Sequence, residues 1–391
     1  MITGVFIFEK KLHKDYSGNY YDTVFTKSVL ERYASIVDKL ILIARANYIA
    51  DINEEILSKY SEVFHPKVHI IEIPNVLSPS GLKFFSSTKK EIVSYLLKAD
   101  IVFVRVPTIW QSTVANCRKK NNLKVIFEVG ADAWASYWNE GGIRGKIFAP
   151  YIELSTRKVI RDSEYTVYVT DEWLQKRYPT KGMHIACSNV DIIANSESVL
   201  RERLNIIDQR NGKIIIGTLA DVGWIAKGQQ YIIEALAKLK KQGVTNFIYR
   251  MAGPGDHTRL KTIAKKLGVS ELIIFDGLIR HDKIGDWFLQ IDIYVQPSRQ
   301  EGLPRALIEA ENYALPSFGA KTGGIPELLD KDMIFSNTKN NINEICEILL
   351  NFTKEKLKQQ AYRNFTNAKK FDKNIIEDRR HKFFLRALKG N

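Results

Sequence analysis

Glu301 and Glu309 lie eight residues apart in the run Pro297-Ser298-Arg299-Gln300-Glu301-Gly302-Leu303-Pro304-Arg305-Ala306-Leu307-Ile308-Glu309-Ala310. The apolar stretch Ile291-Asp292-Ile293-Tyr294-Val295 precedes it and reads as a strand. Pro304 suits the first turn of a helix, where its missing N–H costs nothing. Gly302 lets a ligand come close to the backbone. Amides around Gly302, Leu303 and Arg305 then face the strand end and form a site for an anion. Glu301 falls in the turn and Glu309 two turns into the helix, so the two carboxylates reach different parts of one elongated ligand. Spacing alone fits equally well an N-terminal dipole partner followed by a solvated helix glutamate.

A second segment, Ile214-Ile215-Ile216-Gly217-Thr218-Leu219-Ala220-Asp221-Val222-Gly223-Trp224-Ile225-Ala226-Lys227-Gly228, reads as strand, loop and helix start. Lys227, just before the helix, adds a point charge to the dipole and suits a diphosphate; taken alone it reads as a surface lysine. Two glycine turns follow strands further on. Met251-Ala252-Gly253-Pro254-Gly255-Asp256, with Asp256 placed as a helix cap, lacks the full dinucleotide fingerprint, which argues against a nicotinamide enzyme. Asp276-Gly277-Leu278-Ile279-Arg280 belongs beside it.

The elements that must position these residues alternate along the whole chain. Strands are predicted at 2–8, 40–44, 68–73, 101–105, 124–129 and 165–169, with helices near 22–34, 86–98, 110–121 and 146–161. A second series has strands at 213–219, 246–251, 272–276, 292–296 and 315–319 and helices at 228–241, 256–267, 281–290 and 304–314. After Asn340 the pattern is helical. Such alternation predicts an α/β fold of two Rossmann-like, doubly wound domains facing a cleft, with a helical C-terminal tail. The expected domains are 1–190, a linker at 191–212, 213–370, and a C-terminal helix at 371–391 that packs back on the first domain.

Composition narrows the class. At 391 residues the chain exceeds one ordinary core. Cys117, Cys187 and Cys346 are scattered and odd in number, which fits a reducing compartment and offers no structural metal site. No apolar run is long enough to cross a bilayer. The start, Met1-Ile2-Thr3-Gly4-Val5-Phe6-Ile7-Phe8, reads as a strand rather than a signal peptide, so a cytoplasmic location is expected. Net charge is +14, of which residues 1–190 carry +6 and residues 354–391 carry +8. Nucleic acid is not the expected partner, because the excess is divided between two places; an anionic membrane surface or an anionic acceptor suits it.

Together the second-domain segments resemble glycosyltransferase family 4, the group 1 glycosyltransferases of GT-B architecture. The order is Lys227-Gly228, Ala252-Gly253-Pro254-Gly255-Asp256, Gly277, Pro297-Ser298, Glu301 to Glu309, and Gly323-Gly324-Ile325-Pro326-Glu327. In the first domain, Glu128-Val129-Gly130-Ala131-Asp132-Ala133-Trp134, Tyr168-Val169-Thr170, Arg177-Tyr178-Pro179 and Ile185-Ala186-Cys187-Ser188-Asn189 are similar to bacterial capsule and exopolysaccharide members. The resemblance implies a retaining enzyme with a nucleotide-sugar donor, a glycan or lipid-linked glycan acceptor, no cofactor and no required metal. It implies that Lys227 binds the diphosphate and Glu309 the ribose hydroxyls. Glu301, Gly302 and Leu303 then contact the transferred sugar and phosphate, and the loop around Gly18 closes over the donor.

Departures from the family pattern qualify this. Thr218 stands where many relatives have an arginine, with Arg280 or Arg299 as substitutes. Asp132 stands where many have a histidine near the reacting sugar; it also reads as a loop or cap aspartate. Glu311-Asn312-Tyr313-Ala314 replaces a small, glycine-bearing helix end. Two other readings therefore stand beside the enzyme: a non-catalytic subunit that binds nucleotide sugar and activates a partner, and a nucleotide-sugar epimerase. Turnover of donor, and its need for an acceptor, separates them. Finally, Lys83, Phe84, Phe85, Lys89 and Lys90 suit a membrane interface or acceptor contact, extended by Arg118-Lys119-Lys120. Packing of both phenylalanines on the sheet, with solvated lysines, is the competing reading.

Overall fold

The computed structural model describes residues 1–22, 25–49, 60–140 and 142–390. The chain divides into two compact units. The first comprises residues 1–169, 174–187 and 377–391; the second comprises 170–173 and 188–376.

The first unit is built on β1 (Thr3–Lys14), β2 (Tyr20–Asp22), β3 (Lys39–Tyr48), β4 (Ser61–Glu62), β5 (Val68–Glu72), β6 (Ile101–Val106), β7 (Lys124–Val129), β8 (Tyr165–Tyr168) and β9 (Met183–Ala186). Seven of these run parallel in the order β5-β3-β1-β6-β7-β8-β9. The short β2 and β4 add antiparallel to the far end of β1. β1 therefore does not end near residue 8. Its pairing with β3 shifts register between Ile7 and Lys11, and the bulge carries the strand on to Lys14. The expected helix near 22–34 spans Lys27–Ala34; residues 23 and 24 lie outside the described residues.

The apolar runs are buried because helices cover the sheet, as parallel strands require. Tyr33 lies 4.3 Å from the Phe6 ring and 5.0 Å from that of Phe103. Phe384, on the helix Lys373–Lys389, stacks on Tyr33 and Phe103 in the same core. Buried charge beside it is paired. Glu128 accepts from Tyr33 (2.8 Å) and Arg105 (2.9 Å), and Arg32 pairs with Glu377 at 2.6 Å. Removing one partner would leave a desolvated charge, so this cluster pins the last helix.

In the second unit β10 (Ile214–Leu219), β11 (Phe247–Ala252), β12 (Ile273–Gly277), β13 (Ile293–Gln296), β14 (Ser317–Ala320) and β15 (Ile334–Phe335) are all parallel, in the order β12-β11-β10-β13-β14-β15. That is the Rossmann order, which reverses between β10 and β13. The segment 191–212, expected as a linker, belongs to the second unit. It holds the helix Glu197–Gln209, which buries Leu200, Arg203 and Ile207 at helical spacing. Arg203 donates to the carbonyls of Ile291 (2.6 Å) and Phe288 (2.8 Å), which anchors the polar-looking helix to the helix end and turn that precede β13.

Candidate functional site

Open α/β sheets bind ligands beyond the carboxyl ends of strands where their order reverses. In the second unit that place is the end of β10 and β13. Gln296, the last residue of β13, is buried and accepts from the Tyr294 hydroxyl at 2.9 Å. Its amide donates to Ser298 Oγ (2.9 Å) and to Glu301 Oε1 (3.1 Å). Lys227 Nζ reaches the same Glu301 oxygen at 2.7 Å and lies 5.1 Å from the Trp224 ring. Residues 74 apart in sequence thus form one charged centre, with side chains 18% and 12% exposed. Gln296 carries no chemical signature; a polar residue closing an apolar strand is its one signal.

Two glycines hold this centre together. Gly228 takes φ +75°, and a Cβ there would sit 2.0 Å from the Pro297 carbonyl oxygen. Gly323 takes φ +56°, and its Cβ would sit 2.3 Å from the Glu301 carbonyl oxygen. Both backbone conformation and contact demand glycine. Arg299 N–H bonds the Ala226 carbonyl at 2.7 Å, closing the lysine turn onto the glutamate turn.

The helix beyond Glu301 runs Arg305–Asn312, so Pro304 is its cap rather than its first turn. Gly302 and Leu303 are half-buried at its entrance, where the Gly302 carbonyl accepts from Gly324 N–H at 2.7 Å. Glu309 lies within the helix; burial raises its pKa, opposed by the charges of Arg305 and His281. At the helix end Glu311 is fully buried against Arg363 (3.3 Å) and Asn367 (2.7 Å). Ala314 adopts φ +53°, where a glycine would carry no penalty.

Thr218 is inside β10. Its buried hydroxyl meets Tyr249 OH (2.8 Å) and the Val295 carbonyl (2.9 Å), so an arginine there would need a different packing. Arg280 is exposed and pairs with Asp282 at 3.1 Å. Arg299 is exposed over the Tyr231 ring, 4.6 Å from its centre, beside the Lys227 turn. Glu327, in the glycine-rich segment, accepts the N–H groups of Asp171 (2.6 Å), Glu172 (3.2 Å) and Trp173 (2.6 Å).

In the first unit the order reverses between β1 and β6, and a cavity of about 630 Å³ lies there. The β1 bulge supplies Phe8, Glu9 and Lys10; Arg45, Tyr137 and Arg144 also line it. The Glu9 carboxylate accepts from Thr108 Oγ1 (2.5 Å) and Ile109 N–H (3.0 Å), and burial pushes its pKa up. Arg45 donates twice to the Glu9 carbonyl, at 3.0 and 2.8 Å. Sequence reasoning missed Glu9, because a bulge inside an apolar strand has no periodicity of its own. Gly18 sits at the tip of the β1–β2 hairpin with φ +92°, its N–H bonded to the Asp15 carbonyl at 3.2 Å.

Asp132 is buried at the start of the helix Ala133–Glu140. One oxygen accepts from Ala135 N–H at 2.8 Å and the other pairs with Arg177. Burial raises its pKa against those two partners. Phe84 and Phe85 are exposed, Lys83 stands 5.0 Å over the Phe84 ring, and Phe85 stacks on buried Trp110 at 5.3 Å. Neither phenylalanine is in the sheet core. Lys89 and Lys90 are exposed on the helix Phe85–Leu96.

Among the described residues no three His, Cys, Asp or Glu side chains are placed to hold a metal ion. No helix among them is long and apolar enough to cross a membrane.

Residues 201–370 match the family model described as Glycosyl transferases group 1. Protein CapJ of Staphylococcus aureus is 30% identical over 323 residues, covering 82% of this chain and 79% of that protein. The putative colanic acid biosynthesis glycosyltransferase WcaL of Escherichia coli is 27% identical over 216 residues, about half of each chain (49% and 51%). Two solved structures share the fold over the full length of both chains: a sucrose-phosphate synthase from Thermosynechococcus elongatus (TM-score 0.69, 12% identity) and Anabaena HepE in complex with UDP (TM-score 0.65, 14% identity). The architecture is GT-B, and with its Lys227–Glu301 centre at the second switch point this chain belongs to the group 1 glycosyl transferases.

Proposed function

We propose that this protein is a retaining glycosyltransferase of family 4 that moves a sugar from a nucleotide donor to a lipid-linked glycan in surface polysaccharide biosynthesis. The observation that carries the reading is the Lys227–Glu301 pair, held at 2.7 Å where the second sheet reverses. An ammonium has three donors, so Lys227 can bond Glu301 and a diphosphate oxygen together. It then meets charge developing on the departing phosphate, as preorganised cations do. Glu301 with the backbone of Gly302 and Leu303 contacts the transferred sugar, and Glu309 accepts from ribose hydroxyls. Arg299, beside the lysine turn, is the second cation in this reading, in preference to Arg280, which is engaged with Asp282.

The names of similar proteins support the pathway: CapJ, and a glycosyltransferase of colanic acid biosynthesis. Anabaena HepE, solved with UDP, supports a nucleotide-sugar donor. The cavity at the first switch point, polar at Glu9, Lys10, Arg45 and Arg144, is assigned to the acceptor. The reaction runs at the cytoplasmic face of the membrane and needs no metal or other cofactor.

Thermal-shift screening against UDP-, GDP- and ADP-sugars tests the donor class, because ligand binding raises the melting temperature. Product analysis by NMR then reads the anomeric configuration. Absence of any nucleotide-sugar response overturns the proposal, and an inverted product overturns the retaining assignment.

A further inference from the structure

Helix Gly142–Arg161 buries Ala149, Ile152, Thr156, Val159 and Ile160 and packs against the helices Ala133–Glu140 and Gln111–Asn121. Its opposite side is also apolar. Ile143 is 81% exposed, Ile147 68%, Tyr151 54% and Leu154 68%. Their spacing of four, four and three residues lines them along one face, about 16 Å long at the helical rise. A helix apolar on both sides does not belong to an ordinary surface. Beside the stripe, Trp134 and Trp138 stack at 5.1 Å and are 37% and 40% exposed, and Lys146 Nζ stands 5.7 Å from the Trp138 ring.

Charge selects the occupant. The helix carries Arg144, Lys146, Arg157, Lys158 and Arg161 against a single acid, Glu153. Glu153 is buried and engaged by Arg157 and Tyr178, each at 2.7 Å. The exposed face is therefore apolar and cationic; Asp162, one residue beyond the helix, is itself paired with Arg161 at 3.3 Å and Lys119 at 3.4 Å. Helix Gln111–Asn121 packs directly against it and brings exposed Lys120, while its Arg118 and Lys119 pair with Glu164 (2.5 Å) and Asp162 (3.4 Å); helix Phe85–Leu96 packs next to that.

We infer that this face docks on an anionic lipid bilayer, with Ile143, Ile147, Tyr151 and Leu154 entering the headgroup–acyl boundary and the lysines and arginines meeting lipid phosphates. Apolar insertion flanked by basic residues and tryptophan is the chemistry of an interfacial helix. The inference builds on the lipid-linked acceptor reading and moves the principal contact from Phe84 and Phe85 to the helix Gly142–Arg161. Arg144, Gly145 and Phe148 of this helix line the 630 Å³ cavity but Ile147 and Leu154 do not, so these two positions are separable from the chemistry.

Co-sedimentation of the full chain with phosphatidylglycerol–phosphatidylcholine vesicles, and with phosphatidylcholine alone, tests it. Binding is expected with the anionic vesicles only, falling as salt rises. The double variant Ile147→Glu/Leu154→Glu should lose at least about tenfold in partitioning, through lost apolar burial and added repulsion, while keeping its melting temperature and its nucleotide-sugar response. Equal binding by variant and wild type, or binding indifferent to lipid charge and salt, overturns the inference. So does a vesicle-free dimer that the variant converts to monomer, since a second copy would then cover the stripe. Vesicle binding without any nucleotide-sugar response would overturn the proposed function and leave the docking surface standing.

Discussion

Gly228 and Pro297 approach so closely that a Cβ on the glycine would stand 2.0 Å from the proline carbonyl oxygen. That contact brings the loop after β10 against the loop after β13, and Lys227, one residue earlier, consequently reaches Glu301. The lysine–glycine pair therefore carries two requirements: a charge, and a backbone that can pass beneath its neighbour.

Gly228→Ala should weaken donor binding and stability together, because the residue must take φ +75° and push Pro297 away. Gly243→Ala is the control: its φ is +86° but nothing lies within 4 Å of the added Cβ. Both should lose on the order of 1 kcal/mol to the left-handed backbone. Only the Gly228 variant should also lose nucleotide-sugar affinity by calorimetry.

Lys227→Ala and Glu309→Ala should each weaken donor binding by about 2–3 kcal/mol, the scale of a lost charge-assisted bond. Circular dichroism should show both folded. Full donor affinity in both variants would remove the diphosphate and ribose assignments.

Asp132 tests a position with two readings. Both of its oxygens are engaged within the first unit, by Ala135 N–H and Arg177. Asp132→Ala should cost about 1–2 kcal/mol as a lost cap, whereas Asp132→Asn keeps most of the capping and should lose less. Turnover is expected to track the folded fraction in both. A large fall in kcat for the asparagine variant at unchanged melting temperature would return Asp132 to the chemistry.

Glu311 supplies a pH signature. Burial raises its pKa from the ordinary 4.5 to about 8, with Arg363 and Asn367 opposing the rise. A carboxyl raised on folding keeps its proton longer in the native state than in the unfolded chain. Its stabilising contribution is full below about pH 4.5 and is lost as pH rises through about 8. Glu311→Gln should flatten this part of the stability profile in urea titrations between those values. A wild-type profile parallel to that of the variant would refute the assignment.

Turnover should survive a chelator. Lys227 and the start of the helix Arg305–Asn312 are expected to meet the leaving-group charge that a divalent ion would otherwise meet. Complete loss in EDTA, restored by Mg²⁺ or Mn²⁺, would show the opposite.

Much of this molecule was legible locally. Alternating strand and helix patterns need only neighbours along the chain, so β10 through β14, with the helices between them, fell close to their expected positions. Lys227-Gly228 and the Glu301–Glu309 spacing likewise mark their loops by residue type. Three other features have no local signal. The β1 bulge that delivers Glu9 arises from pairing with β3, not from any property of Phe8-Glu9-Lys10. Thr218 became a buried hydroxyl because Tyr249 and Val295 lie beside it in the sheet. Helix Gly142–Arg161 is apolar on two sides, and only the helices packed against it decide that Ile152 is inside while Ile147 faces solvent. The order of elements and the residue types that suit an anion were thus determined by the sequence itself, through short-range periodicity and steric freedom. The meeting of Lys227 with Glu301, the cavity at Glu9 and the exposed stripe were decided by tertiary structure, because each depends on contacts between segments distant along the chain.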